Sequence, residues 1–157
     1  MTTGLVFALL GVALATALAG SGSAIGVAIA SKAGAGVLSE KPELFGRVLV
    51  LQALSGTQGI YGFLVSVLIL VKIGLLGGNP IAISNEVGMA LLYASIPIAI
   101  GGLVSAIWQG KASAAAIHMV AKRPDQVARG MTMVAVVETY AILSLLVSIL
   151  MWISIPV

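Results

Sequence analysis

MTMVAVVETYAILSLLVSILMWI, Met131 to Ile153, is a long apolar run that contains one charged side chain, Glu138. It exceeds the ~20 residues needed to cross a hydrocarbon core of ~30 Å. Unpaired backbone groups are too costly in lipid, so the run is expected to be helical. An ionised acid near the bilayer centre costs on the order of 3 kcal/mol or more. The stretch therefore predicts a membrane-spanning helix, and it marks Glu138 as a residue kept for function.

The rest of the chain agrees. Charged residues make up 8% and hydrophobic ones 60% of the 157 residues. A soluble domain has roughly a quarter charged residues. With no cysteine, there can be neither a disulfide framework nor a thiolate metal site. The net charge of +3 gives no reason to expect a nucleic-acid partner. The amino terminus MTTGLVFALL has no basic region, so it is expected to be a span rather than a cleaved signal. Four apolar stretches, roughly 4–38, 45–76, 86–120 and 126–155, are each expected to form one continuous helix. Between them lie SEKPEL (39–44), GGNPIAISN (77–85) and AKRPDQ (121–126), each with a proline, which lacks the amide donor a helix interior needs.

The chain also repeats itself. At an offset of 82 with no gap, Ala8-Leu9-Leu10 falls on Ala90-Leu91-Leu92, and Ser23-Ala24-Ile25 on Ser105-Ala106-Ile107. Pro42 falls on Pro124, Arg47 on Arg129, Thr57 on Thr139, and Val65-Ser66 on Val147-Ser148. The expected fold is an all-α membrane protein of four transmembrane helices. These form two tandem duplicated hairpins, residues 1–78 and 79–157. Both hairpins run in the same sense. Lys32, Lys41 and Arg47 flank the first hairpin loop, and Lys122, Arg123 and Arg129 the second. The connection between hairpins has only Lys72, so both loops are expected to be cytoplasmic. The first and third helices are crowded with small residues, among them Gly22 and Gly26 and then Gly101, Gly102 and Gly110. That composition suits close helix packing on several sides, as in the inner circle of a homo-oligomeric ring.

Glu138 lies about 14 residues beyond Pro124, or ~21 Å along a helix. At a similar distance before Pro124 stands Gln109, in SAIWQGKASAAA. At the same distance past Pro42 stands Gly56, within LQALSGTQGIYGF. Leu54, Thr57, Gln58 and Tyr61 there share a helix face at i, i+3, i+4 and i+7. Gly56 replaces the acid of the second repeat, thins the second helix and leaves a carbonyl such as that of Leu54 free to act. A carboxylate, amide oxygens, a hydroxyl and a carbonyl are hard donors suited to hard cations. A single negative charge balances a monovalent cation, whereas divalent sites normally use more carboxylates or water. Sodium is the expected occupant, with Tyr61 donating to Glu138 to hold its geometry.

ALSGTQGIYGF, VVETYAIL and SAIWQG resemble the proteolipid (K or c) subunit of V-type sodium-transporting rotary ATPases, and the likeness runs through the whole chain. The resemblance implies a membrane rotor ring with helices one and three inside. It implies sodium ligands at the Leu54 carbonyl, Thr57, Gln58, Gln109 and Glu138, with Tyr61 bonded to Glu138. It further implies a stator membrane subunit supplying an arginine, central-stalk subunits at loops 39–44 and 121–126, and a prokaryotic plasma membrane. The chain itself is expected to have no catalytic site, and no G-x-x-x-x-G-K-[ST] phosphate loop occurs in it. Ser55 departs from the pattern, since sodium-binding relatives tend to have proline there. Lys111, close to Gln109, is expected to point away from the site. A proton-translocating ring (H+ in place of Na+) and a small secondary transporter or channel are the rival readings. His118, Trp108, Trp152 and Tyr93 are read as interfacial or packing residues, and Pro97 as a source of a kink.

Overall fold

The structure is a computed structural model, and it describes residues 2–156. Its elements are α1 (Thr3–Glu40), α2 (Phe45–Ala53), α3 (Thr57–Lys72), α4 (Asn85–Lys122) and α5 (Val127–Ser154). Short 3₁₀ turns occupy Pro42–Leu44, Leu54–Gly56 and Pro124–Gln126. Four segments are long and apolar enough to cross a membrane: Thr3–Glu40, Pro42–Lys72, Asn85–Lys122 and Pro124–Ser154. The ends of both spans of the first hairpin recur in the second at the sequence offset, Thr3 with Asn85, Glu40 with Lys122, Pro42 with Pro124 and Lys72 with Ser154.

The caps recur as well. Thr2 accepts from Leu5 N at 3.4 Å and Ser84 from Val87 N at 3.3 Å, each satisfying an amide with no partner inside its helix. At the other ends, the Lys41 amide bonds Val37 O and the Arg123 amide bonds Met119 O. A proline at the first position of the following 3₁₀ turn stops both helices.

Helices α1 and α4 form the central pair, and their contact is the most extensive in the molecule. Glycine makes that approach possible. A Cβ on Gly22 would stand 2.6 Å from Leu103 Cα, and one on Gly102 would stand 2.8 Å from Ala19 Cβ. Gly26 and Gly110 meet backbone to backbone. Such contact replaces the hydrophobic drive that lipid does not supply. Helix α3 lies on α1 and α5 on α4, with the two outer helices touching each other far less. The outward faces of α3 and α5 are large and apolar, including Ile60, Phe63, Met133, Leu146 and Ile153, as lipid-facing surfaces are.

Two apolar clusters fill the interior. One, toward the hairpin loops, contains Leu44, Val48, Leu51, Ile117, Val120 and Val134. The other, toward the termini, contains Val65, Ile69, Leu91 and Ile98. Between them runs a buried polar band of Ser55, Gln58, Ser105, Gln109 and Ser113. Glu138 stands at the outer edge of that band.

The second span corrects the expectation of one continuous helix over 45–76. Ser55, wholly buried, turns its hydroxyl to Ser113 Oγ at 3.1 Å, and the backbone tightens to 3₁₀ around it over Leu54–Gly56. The span also ends early, at Lys72. Gly74 adopts φ 73°, a left-handed conformation that costs glycine little. Its amide bonds Val71 O, and the Leu75 amide reaches back to Leu70 O at 3.1 Å, which closes the helix in a Schellman motif. Helix α4 runs through Pro97, and Ser148 on α5 accepts the adjacent Ile98 amide at 3.1 Å.

Candidate ion-binding site

The second span supplies the first part of the site. The 3₁₀ turn places the Leu54 carbonyl where Thr57 Oγ1 donates to it at 3.1 Å, and the same hydroxyl lies 3.4 Å from Gln58 Oε1. Gln58 is fully buried, and its Nε2 donates both to Gln109 Oε1 and, at 3.3 Å, to Ser105 Oγ. Helix α4 thus contributes Gln109, also fully buried, and Ser105 one turn before it. Gln109 Nε2 lies 3.4 Å from Glu138 Oε2 and 3.3 Å from the Val134 carbonyl on α5. Tyr61 OH donates to the other carboxylate oxygen, Glu138 Oε1, at 2.5 Å. Leu54, Thr57, Gln58, Gln109, Glu138 and Tyr61 are therefore joined in one chain of polar contacts drawn from three transmembrane segments.

The burial is graded. Gln58 and Gln109 are sealed inside, while Glu138, Thr57 and Tyr61 are half-buried at the outward edge between α3 and α5. A carboxylate here has both oxygens engaged yet stays close to the outer surface. A primary amide offers two donors at one end and an acceptor at the other, and a half-turn of its terminal torsion exchanges them. Gln58 and Gln109 can therefore present either NH₂ to a carboxylate or C=O to a cation without moving their backbones.

The structure brings together all six residues that the sequence singled out. It adds others that the sequence did not. Ser105 receives the Gln58 amide and passes its own hydrogen bond to Val137 O at 3.0 Å, which ties α4 to α5 beside Glu138. Its signals in the sequence are its place four residues before Gln109 and its match to Ser23 in the repeat. On the far side of the 3₁₀ turn, Ser23 of α1 accepts the Gly59 amide at 2.8 Å. Lys111 Nζ lies over the Trp108 ring, 3.8 Å from the centroid. Trp152 does pack, and it also donates to Leu68 O at 3.1 Å while Lys72 Nζ donates to the Trp152 carbonyl, binding the ends of α3 and α5. His118 and Tyr93 are exposed.

The sequence profile of the ATP synthase C-subunit family matches this chain twice, over residues 10–69 and again over 92–151. The chain belongs to the ATP synthase C-subunit family. In this member of the family the two matches stand at the internal offset itself, position 10 falling on 92 and 69 on 151. One relative is the V-type sodium ATPase subunit K of Enterococcus hirae, 45% identical over 148 residues, which cover 94% of this chain and 91% of the relative. Another is the A-type ATP synthase subunit K of Methanocaldococcus jannaschii, 37% identical over 155 residues, which cover 99% of this chain and 66% of the relative. A C-subunit family member with four membrane-length helices is an integral, multi-pass membrane protein.

Proposed function

We propose that this chain is the ion-binding subunit of the rotor ring of a V-type rotary ATPase, carrying sodium across the membrane by reversible binding at Glu138. The observation that carries the reading is the half-buried carboxylate of α5 held by Tyr61 and Gln109, with Gln58, Thr57 and the Leu54 carbonyl following in hydrogen-bond sequence. The name of the Enterococcus hirae relative supports sodium as the cargo.

Sodium arrives as substrate. The Glu138 carboxylate neutralises it, and the Leu54 carbonyl, the Thr57 hydroxyl and the amide oxygens of Gln58 and Gln109 replace its water. A neutral site crosses the lipid-facing arc of the ring at far lower cost than a bare carboxylate. Tyr61 OH donates to Glu138 and holds its geometry, and when the ion leaves, the Gln109 amide can turn its NH₂ to the carboxylate. An arginine on a stator membrane subunit then holds the carboxylate transiently, next to an aqueous half-channel. ATP is hydrolysed, or made, on other subunits. On this reading loops 39–44 and 121–126 face the cytoplasm and seat the central stalk. Lys41 Nζ donates to Ala121 O at 2.6 Å, which joins the two loops into one platform.

The test is carbodiimide modification of Glu138 in the purified assembly. Sodium should slow the labelling in a saturable way, and Glu138→Gln should abolish both labelling and ion transport. Labelling that responds to pH but not to sodium would make the cargo a proton.

A further inference from the structure

The 3₁₀ turn over Leu54–Gly56 has no evident cause in its own three residues. No proline lies in it. Gly56, at φ −94° and ψ −13°, is in the right-handed helical region open to any residue. A Cβ built on it would meet only Val27 Cγ2, at an ordinary 3.6 Å. The counterpart one repeat on, residues 136–138, stays α-helical inside α5. Besides Gly56 for Glu138, what sets the two segments apart at their centre is Ser55, where the second hairpin has Val137.

Ser55 is fully buried where three helices meet. Its Oγ lies 3.1 Å from Ser113 Oγ on α4, and its Cβ would stand 3.3 Å from a Cβ built on Gly26 of α1. Ser113, also fully buried, stands one turn beyond Gln109, so Ser105, Gln109 and Ser113 form a stripe at i, i+4 and i+8. All three face the second span. Ser105 and Gln109 hold Gln58, and Ser113 holds Ser55. Ser31, the counterpart of Ser113 in α1, keeps its hydroxyl within its own helix, on Val27 O at 2.7 Å.

We propose that Ser55 and Ser113 are positioning residues of the ion site, a hydroxyl pair that holds the turn in its 3₁₀ form against α4 and so aims the Leu54 carbonyl. The inference rests on the sodium reading above, and it assigns the setting of one ligand to two side chains that touch no ion. A carbonyl in a 3₁₀ turn bonds three residues on, with poorer geometry than in an α-helix. The Leu54 oxygen is thus less committed to its own helix than Val136 O, its counterpart in α5. A helical serine with no partner across a seam bonds the carbonyl four residues back, as Ser31 does. With Ser113 removed, Ser55 has Leu51 O for that bond, and the segment relaxes towards the α-helix of its counterpart. Sodium and the proton then respond differently. Sodium needs the Leu54 carbonyl, whereas a proton needs only Glu138, which Tyr61 and Gln109 hold from other positions. The pair therefore favours sodium over the proton.

The test takes two measurements on purified assemblies of Ser55→Ala, Ser113→Ala and the double variant. One is the sodium concentration that half-protects Glu138 from carbodiimide, and the other is the pH profile of labelling without sodium. Neither serine makes the bond alone, so all three variants should raise the half-protecting concentration by a similar factor, roughly 5- to 10-fold. The pH profile should stay in place, and Ser31→Ala should change neither reading. Replacing both partners of a buried hydrogen bond is nearly neutral for stability, so the double variant should unfold close to the parent temperature and keeps the test decisive if a single variant misfolds. Unchanged sodium protection in the double variant overturns the assignment, because the pair then packs without aiming the carbonyl. A pH profile displaced together with sodium protection overturns it too, since the pair then holds the whole site together. So do single effects that add up in the double variant. A parent whose labelling ignores sodium overturns the reading of the cargo itself, and this inference with it.

Discussion

Glu138 is tolerable in a membrane helix only because its oxygens are not left alone. Tyr61 takes one at 2.5 Å, and Gln109, itself fully buried, reaches the other from α4. A hydrogen bond to a charged group contributes about 1.5–3 kcal/mol. Tyr61→Phe keeps the ring that packs between α3 and α5 and removes only this donor. The expected outcome is a sodium requirement raised roughly 10- to 100-fold, read as the concentration that half-protects Glu138 from carbodiimide. An unchanged concentration would mean that Tyr61 packs without orienting the acid. Much of this constellation is legible in the sequence, because a lone acid fixes a depth and helical spacing places Leu54, Thr57, Gln58 and Tyr61 on one face. Ser105 is not legible. Its match to Ser23 in the repeat names no partner, and its hold on the Gln58 amide exists only once the second span is laid against α4.

Helix boundaries divide in the same way. Four membrane spans and their prolines follow from length, hydropathy and repetition, and even the capping residues Thr2 and Ser84 stand one repeat apart. The 3₁₀ turn at Leu54–Gly56 does not follow, since one glycine in an oily run is a weak signal and the buried Ser55–Ser113 contact that accompanies the turn forms only between hairpins. The end at Lys72 was available in IGLLGG, but the apolar leucines carried the expected helix past Gly74. At the central pair, Gly22 has no room to give, because its neighbour is the Leu103 backbone rather than a flexible side chain. Gly22→Val should destabilise the detergent-solubilised chain by about 1–3 kcal/mol or more, measured as a fall in its unfolding temperature. Gly46, with open space where a Cβ would stand, is the control, and Gly46→Val should change stability by no more than about 0.5 kcal/mol. Equal effects at both positions would mean that α1 and α4 are not closely apposed.

Because the site draws on the second span, α4 and α5 at once, its occupant acts on the whole molecule. The two apolar clusters lie on either side of the polar band, and α3 and α5 share little contact except near Glu138 and at the Lys72–Trp152 tie. An ion that binds only the folded arrangement stabilises it by mass action, by about 2.7 kcal/mol at 100 times its dissociation constant. Sodium should therefore raise the unfolding temperature of the purified protein in a saturable way. Potassium at equal ionic strength controls for general screening, which acts on the exposed loop charges and not on a half-buried carboxylate. Glu138→Gln should keep the fold, since a neutral amide at that depth is cheaper than an acid, and should lose the sodium-dependent part of the rise. A rise that survives Glu138→Gln would place the stabilising ion elsewhere. An equal response to both salts would remove sodium from the site and leave the carboxylate to a proton.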